Sequence, residues 1–157
     1  MKRYFVLLLA LVLCITLVSG CSAKETTAPH VHQDLTIRLP LAFLDLSDRD
    51  YAAQYDFLYG LDSVIVSGLR DEKSLFDGSD LDLQTYGKLV LAVNELDCAL
   101  TETDGICYFA YEAGDYTYVV TLWETGEAFW TVQAYCPTQE YSQVSGQMWE
   151  ILRSVSV

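Results

Sequence analysis

Two histidines, His30 and His32, are the only imidazoles in this 157-residue chain. Two apart in an extended segment, they point the same way, as two ligands of a metal site would. No third ligand stands near them in sequence, and they sit beside a polar stretch, so a solvated pair is expected. That position also argues against a Ser-His-Asp or Cys-His hydrolase, whose base must be held rigidly. Asp45, Asp48 and Asp50, and separately Asp77, Asp80 and Asp82, offer oxygen ligands. Neither run has the D-x-[DN]-x-[DN]-G spacing that shapes a calcium loop, so solvated loop acids are expected. Paired carboxylates for glycoside cleavage are defined by their separation in space, and nothing singles out one pair among 22 acidic residues. The glycines read as turns or isolated helix positions and form no phosphate cradle. No catalytic residue, metal or cofactor is assigned.

Aromatic rings are the remaining candidates. Trp123, Phe129, Tyr135 and Tyr108 have the area to stack on a sugar, a peptide or another apolar ligand. The elements that must position them form a four-stranded antiparallel meander from Cys98 to Cys136, rich in β-branched and aromatic residues. Turns fall at Asp104-Gly105, Gly114-Asp115 and Glu124-Thr125-Gly126. Two-residue loops at the first two set Glu102 opposite Cys107, Cys98 opposite Tyr111, Cys107 opposite Leu122 and Tyr111 opposite Tyr118. A three-residue loop with a G1 bulge at the last sets Leu122 opposite Ala128 and Val120 opposite Trp130. One face then carries Phe109, Val120, Leu122, Trp130 and Val132 as core. The other gathers the four candidate rings with Thr117, Thr121, Thr131 and Gln133. A covering helix or hairpin would turn that second face into core as well.

The N-terminus reads as a targeting segment, 1–20, apart from the fold. Lys2 and Arg3 precede an apolar run from Phe5 to Leu17, then the small residues Val18-Ser19-Gly20. With Cys21 directly after, Leu17-Val18-Ser19-Gly20-Cys21 resembles a bacterial lipobox. The resemblance implies cleavage before Cys21, its acylation (a palmitate-type anchor) and export to the outer side of the cell membrane. Two acyl chains anchor a protein stably, which one does not. The alternative is an uncleaved anchor helix over Tyr4 to Gly20, slightly short of the ~20 residues a span needs. Residues 21–30 read as a flexible tether, and 31–157 as one domain.

The net charge is −13 and becomes more negative once Lys2 and Arg3 leave. Such a surface repels phosphate backbones, which excludes nucleic acid as a partner. After Cys14 and Cys21, the cysteines left are Cys98, Cys107 and Cys136. Their expected offsets along the strands exceed the ~7 Å between Cα atoms that a disulfide allows, so free thiols are expected.

Along the domain, His32 to Leu39 alternates as a first strand closed by Pro40, and Leu41 to Asp50 reads as an acidic loop. Gln54 to Tyr59 and Ser63 to Leu69 form a hairpin, and Arg70 to Asp80 a polar loop. Leu81, Leu83, Tyr86, Leu89, Val90 and Val93 share a helical stripe with Asp80 as N-cap. After the meander, Thr138 to Arg153 is a second helix with Tyr141, Val144, Met148, Ile151 and Leu152 on one face. Ser154 to Val157 closes as a strand.

This β-ββ-α-ββββ-α-β order resembles the PsbP-like fold shared with the Ran-release factor Mog. The residues that carry the likeness are Leu35-Thr36-Ile37-Arg38-Leu39-Pro40, Tyr55-Asp56-Phe57-Leu58-Tyr59 and the final helix running into Ser154-Val155-Ser156-Val157. It implies an α+β sandwich: a central antiparallel sheet with helices on both faces. It implies binding or assembly rather than a reaction, since fold alone does not fix function. The expectation is a lipid-anchored, extracytoplasmic, non-enzymatic module with a protein or small-molecule partner. The alternatives are a small carboxylate-dependent hydrolase and an accessory subunit of an envelope complex.

Overall fold

The computed structural model describes residues 26–76 and 81–157. The lipobox with Cys21, the apolar run before it, Asp77 and Asp80 lie outside the described residues.

Seven strands make one antiparallel sheet, and two more make a separate hairpin. The hairpin is β1 (Thr27–His32) and β2 (Leu35–Pro40). The sheet contains β3 (Leu44–Asp45), β4 (Phe57–Leu61), β5 (Val64–Glu72), β6 (Thr101–Thr103), β7 (Ile106–Ala113), β8 (Tyr116–Glu124) and β9 (Ala128–Pro137), in the spatial order β3-β4-β5-β9-β8-β7-β6. Helix α1 (Leu83–Val93) lies on one face, and α2 (Tyr141–Arg153) lies with the hairpin on the other. This is the expected α+β sandwich.

Several boundaries differ from expectation. Residues 27–30, expected in the tether, form most of β1, paired from Thr27↔Pro40 to His32↔Leu35. Pro29 is tolerated because β1 is an edge strand that bonds only β2. The closing strand shrinks to one bridge, in which Thr36 and Ser156 exchange N–H···O bonds of 2.8 and 2.9 Å. Asp82 caps α1 by accepting the Thr85 N–H at 2.7 Å. β6 begins only at Thr101, so Cys98 never pairs with Tyr111.

Local turn chemistry sets two registers of the meander. Asp104 (φ 54°) and Gly105 (φ 76°) are both left-handed, as a type I′ turn requires. Gly114 (φ 58°) supplies the positive φ at the first loop position of the next hairpin. Glu102↔Cys107, Cys107↔Leu122 and Tyr111↔Tyr118 follow as expected.

The last hairpin departs from expectation. Leu122 pairs with Thr131 and Trp123 with Trp130, three residues from the expected register. Thr125 N–H bonds the Ala128 carbonyl at 2.9 Å, and the Thr125 hydroxyl accepts the Ala128 N–H at 3.0 Å, leaving Gly126-Glu127 as the loop. Gly126 is not in the left-handed conformation that a G1 bulge needs. Because three is odd, all of β9 changes face relative to β8.

Two cores result. On the hairpin face, Trp130, Val132, Ala134, Val66 and Phe57 pack with Leu35, Ile37 and Leu39 and with Met148, Ile151 and Leu152. On the α1 face, Phe109, Val120, Leu122 and Phe129 pack against Tyr86 and Leu91. Each fully buried aliphatic or aromatic side chain contributes about 1.5–3 kcal/mol of transfer free energy. Gly68 lets Phe57 lie flat across β5, where an added Cβ would stand 2.2 Å from the ring. Gly87 likewise lets α1 approach the sheet, with a Cβ there 2.7 Å from Leu122.

Candidate functional site

The four rings expected to share a face divide two and two. Trp123 and Tyr108 lie on the hairpin face. The Trp123 indole donates to Thr121 Oγ1 at 3.0 Å. Tyr108 meets Trp149 edge-on at 5.0 Å. Phe129 lies on the α1 face, fully buried and stacked on Tyr86 with ring centroids 4.5 Å apart. Tyr135, also on that face, is half-buried between Tyr118 and Tyr116. The odd register shift is the physical reason.

The histidines are not a solvated pair. His32 stacks on Phe57 at 4.4 Å with its Nε2 3.3 Å from the Tyr59 hydroxyl, and His30 meets the Tyr59 ring edge-on at 4.8 Å. Burial pushes the His32 pKa down, and His30 adds to this. Among the described residues, no three His, Cys, Asp or Glu side chains stand together as metal ligands. Cys98, Cys107 and Cys136 are free thiols. Cys107 belongs to the α1 core and Cys136 to the hairpin core, so the sheet itself stands between them. Burial pushes all three thiols up.

Asp34, in the β1–β2 turn, accepts the Trp130 indole N–H at 2.8 Å, Arg70 Nε at 3.2 Å and the Thr125 hydroxyl at 2.6 Å. Burial disfavours its charge. Hydrogen bonds from Thr125, Arg70, Trp130 and its own backbone outweigh that and hold the carboxyl well below the usual carboxylate range. Arg70 is also paired with Glu72. The cluster ties the hairpin to β5 and to the β8–β9 turn, and its carboxylate is fully engaged in that clamp.

The α1 face is only partly covered. α1 closes over Phe129, Leu122 and Phe109. Past its C-terminal half, a cavity of about 150 Å³ opens between helix and sheet, walled by Leu69, Leu96, Phe109 and Tyr111 and bordered by Asp71, Asn94 and Gln133. At Asp71, Tyr86, Val90 and Asn94 it adjoins a second hollow of about 300 Å³ beside Leu75, Leu89 and Val93. Tyr86 donates its hydroxyl to Asp71 Oδ2 at 2.7 Å and lies 2.9 Å from Thr131 Oγ1. Burial pushes this phenol up, and the neighbouring Asp71 adds to the rise, so Tyr86 stays a neutral donor. Gln133 Nε2 donates to Ser67 Oγ at 3.0 Å, and Asn94 Nδ2 donates to the Val90 carbonyl at 2.8 Å.

Beside the cavity runs a cross-strand ladder of rings. Tyr111, Tyr118 and Tyr135 stack at centroid distances of 4.8 and 4.9 Å, with Phe109 6.1 Å from Tyr111. The tyrosines spend their faces on one another and turn edges outward. Burial raises all three phenol pKa values, so they too are neutral groups. The site offers shape, rings and polar atoms for binding.

Asp71 and Asn94 escape a reading of local pattern, and Tyr86 reads there only as a position on the helical stripe. The polar run from Arg70 reads as loop, yet β5 continues through Glu72, because Arg70 finds Asp34 on one face while Asp71 finds Tyr86 on the other. The available signal is the stripe position of Tyr86 on α1, since a buried phenol needs a partner.

No protein-family model matches the sequence, and no curated protein matches it. Solved structures do match by fold. The cyanobacterial PsbP protein (CyanoP) of Synechocystis sp. PCC 6803 superposes with a TM-score of 0.57 at 11% identity, covering 88% of this chain and 96% of its own. A Bacteroides thetaiotaomicron protein gives a TM-score of 0.55 at 11% identity over 85% of this chain, and 48% of that longer protein is covered. A point mutant of the protein Mog1 gives 0.49 at 14% identity over 84% of this chain. The fold is therefore PsbP-like, and at these identities the likeness extends to fold alone.

Proposed function

We propose that this chain is a membrane-anchored, extracytoplasmic lipoprotein whose domain binds a protein or small-molecule partner and catalyses no reaction. The observation that carries the binding role is the unequal closure of the two sheet faces. The hairpin face packs a larger core and opens at the seam between hairpin and α2, in a hollow of about 220 Å³ bordered by Arg38, Gln147 and Glu150, whereas the α1 face ends in a ring-walled cavity between helix and sheet with polar atoms on its border. Such a concave, mostly apolar site with a few placed polar groups suits recognition. Within it, Asp71 is the one carboxylate on the wall among the described residues, so nothing there favours the carboxylate hydrolase. An accessory role in an envelope complex would use the same surface.

The anchor rests on Lys2-Arg3, the apolar run and Cys21. Because β1 starts at Thr27, only the chain from Ser22 to Thr26 would separate the acylated cysteine from the fold. At ~3.3–3.6 Å per extended residue, the six steps from Cys21 to Thr27 would hold the start of the domain within about 22 Å of the acylated cysteine.

Three measurements test the reading. Cys21→Ser should abolish labelling by palmitate and release the protein from the membrane fraction; a variant that stays membrane-bound through an uncut N-terminus defeats the anchor. Leu69→Trp, at the cavity lip, should remove partner crosslinking in intact cells while the melting temperature holds. Unchanged crosslinking would move the binding surface elsewhere. Turnover of glycosidase or esterase substrates that is lost on changing one carboxylate would restore the enzymatic alternative.

A further inference from the structure

The cavity beside α1 has a chemical bias that its shape alone does not convey. Both amides on its border use their NH2 groups inside the protein, Asn94 on the Val90 carbonyl and Gln133 on Ser67. Each amide spends one of its two N–H donors in this way and keeps a carbonyl oxygen, an acceptor with two lone pairs, beside one N–H. Asp71 uses Oδ2 for the Tyr86 hydroxyl and keeps Oδ1. It is half-buried, and no lysine or arginine forms an ion pair with it among the described residues. Its neighbour Arg70 points away on the opposite face of the sheet, to Asp34, and Lys73 is paired with Glu124 and lies over the Phe129 ring. No basic side chain lines the cavity. The unused polar capacity of Asp71, Asn94 and Gln133 is therefore weighted toward acceptors, three oxygens against one N–H from each amide, one member is a carboxylate, and the walls beside it are Leu69, Leu96 and the rings of Phe109 and Tyr111.

We propose that this cavity takes an organic cation: an ammonium group on an apolar stem, with the N–H donors on Asp71, Asn94 and Gln133 and the stem against Leu69, Leu96, Phe109 and Tyr111. The inference deepens, and rests on, the reading of this cavity as the binding site. An anion would meet Asp71 without a counter-charge. A neutral alcohol would leave the carboxylate unpaired in a half-dry setting, where an ion pair is worth more than in bulk water. An ammonium supplies three donors and a positive charge, which suits the free oxygens of Asp71, Asn94 and Gln133 and the carboxylate without an ion pair. The overall charge of −13 favours the approach of a cation in the same sense.

The test compares 2-phenylethylamine with its neutral isostere 2-phenylethanol on the full chain in non-ionic detergent. The readout is the NMR shift of the Asn94 and Gln133 side-chain amides. The amine should bind at least tenfold tighter than the alcohol. Asp71→Asn, which keeps an acceptor for Tyr86, should erase that preference. Asn94→Asp, at an exposed helix end, should tighten the amine several-fold and serves as the second variant if Asp71→Asn does not fold. Equal binding of both probes, unaffected by Asp71→Asn or Asn94→Asp, overturns the cation while leaving the cavity as the binding site. If neither probe moves these signals, the cavity reading and the cation fall together.

Discussion

Phe129 and Trp130 are adjacent in sequence and both fully buried, but they belong to cores closed by different means. Trp130 sits under a hairpin and a 13-residue helix, with its indole N–H held by Asp34, itself clamped to Arg70 and Thr125. Phe129 sits under a single helix of 11 residues, about 16 Å long at 1.5 Å per residue. A seven-stranded sheet, with strands ~4.8 Å apart, is wider than one such helix can cover. The uncovered remainder on the α1 face is the tyrosine ladder and the cavity. One face supplies the clamp, with its hollow at the hairpin–α2 seam, and the other supplies the ring-walled opening between helix and sheet.

The comparison breaks most readily at the two buried rings. Trp130→Ala should cost about 3–5 kcal/mol, read from urea unfolding, and Phe129→Ala should fall in the same range. A cost below about 1 kcal/mol for Phe129→Ala would mean that α1 does not seal a core of its own.

Asp34→Ala comes next, at about 1–3 kcal/mol, because it strips a charged acceptor from Arg70, Trp130 and Thr125 in a partly exposed setting. The pH dependence has a definite sign. The Asp34 carboxyl is held below its unfolded value of about 3.9. Its contribution is therefore complete above that value and is lost as pH falls toward the lower native one. Urea midpoints of the wild type should drop below about pH 4, and Asp34→Asn should remove that component of the drop. An identical acid limb in the variant would show that the clamp does not act through charge.

Gly68→Ala should cost about 1–3 kcal/mol by overpacking, since the new Cβ meets the rigid, buried Phe57 ring. Gly60→Ala, whose Cβ meets only the end of the Leu46 side chain, should be cheaper in the same chemical-denaturation series. On the open part of the α1 face the effects shrink. Tyr135→Leu should cost about 0.5–1.5 kcal/mol from lost ring stacking, and Val93→Ser, at 73% exposure, less than about 0.5 kcal/mol. A large loss at Tyr135 would mean that the ladder is core and the opening smaller than the geometry indicates.

Where local chemistry is decisive, the amino-acid sequence by itself determines the outcome. Asp104-Gly105 and Gly114 dictate the β6–β7 and β7–β8 registers, because only certain residues accept those turn conformations. The apolar stripe of Tyr86 and Val90 and that of Met148, Ile151 and Leu152 dictate the two helices and the sides they bury. The β8–β9 register is decided by tertiary structure. Glu124-Thr125-Gly126 is compatible with two loops, and the choice comes with Thr125 bonding Asp34, 91 residues away, and with Trp130 finding that same carboxylate. β1 likewise becomes a strand only because β2 is beside it to pair with. The cavity is the furthest from local reach. Asp71 comes from β5, Asn94 from the end of α1 and Gln133 from β9. Their convergence depends on how far one helix extends across a wide sheet, a relation between distant segments that no window of neighbouring residues contains.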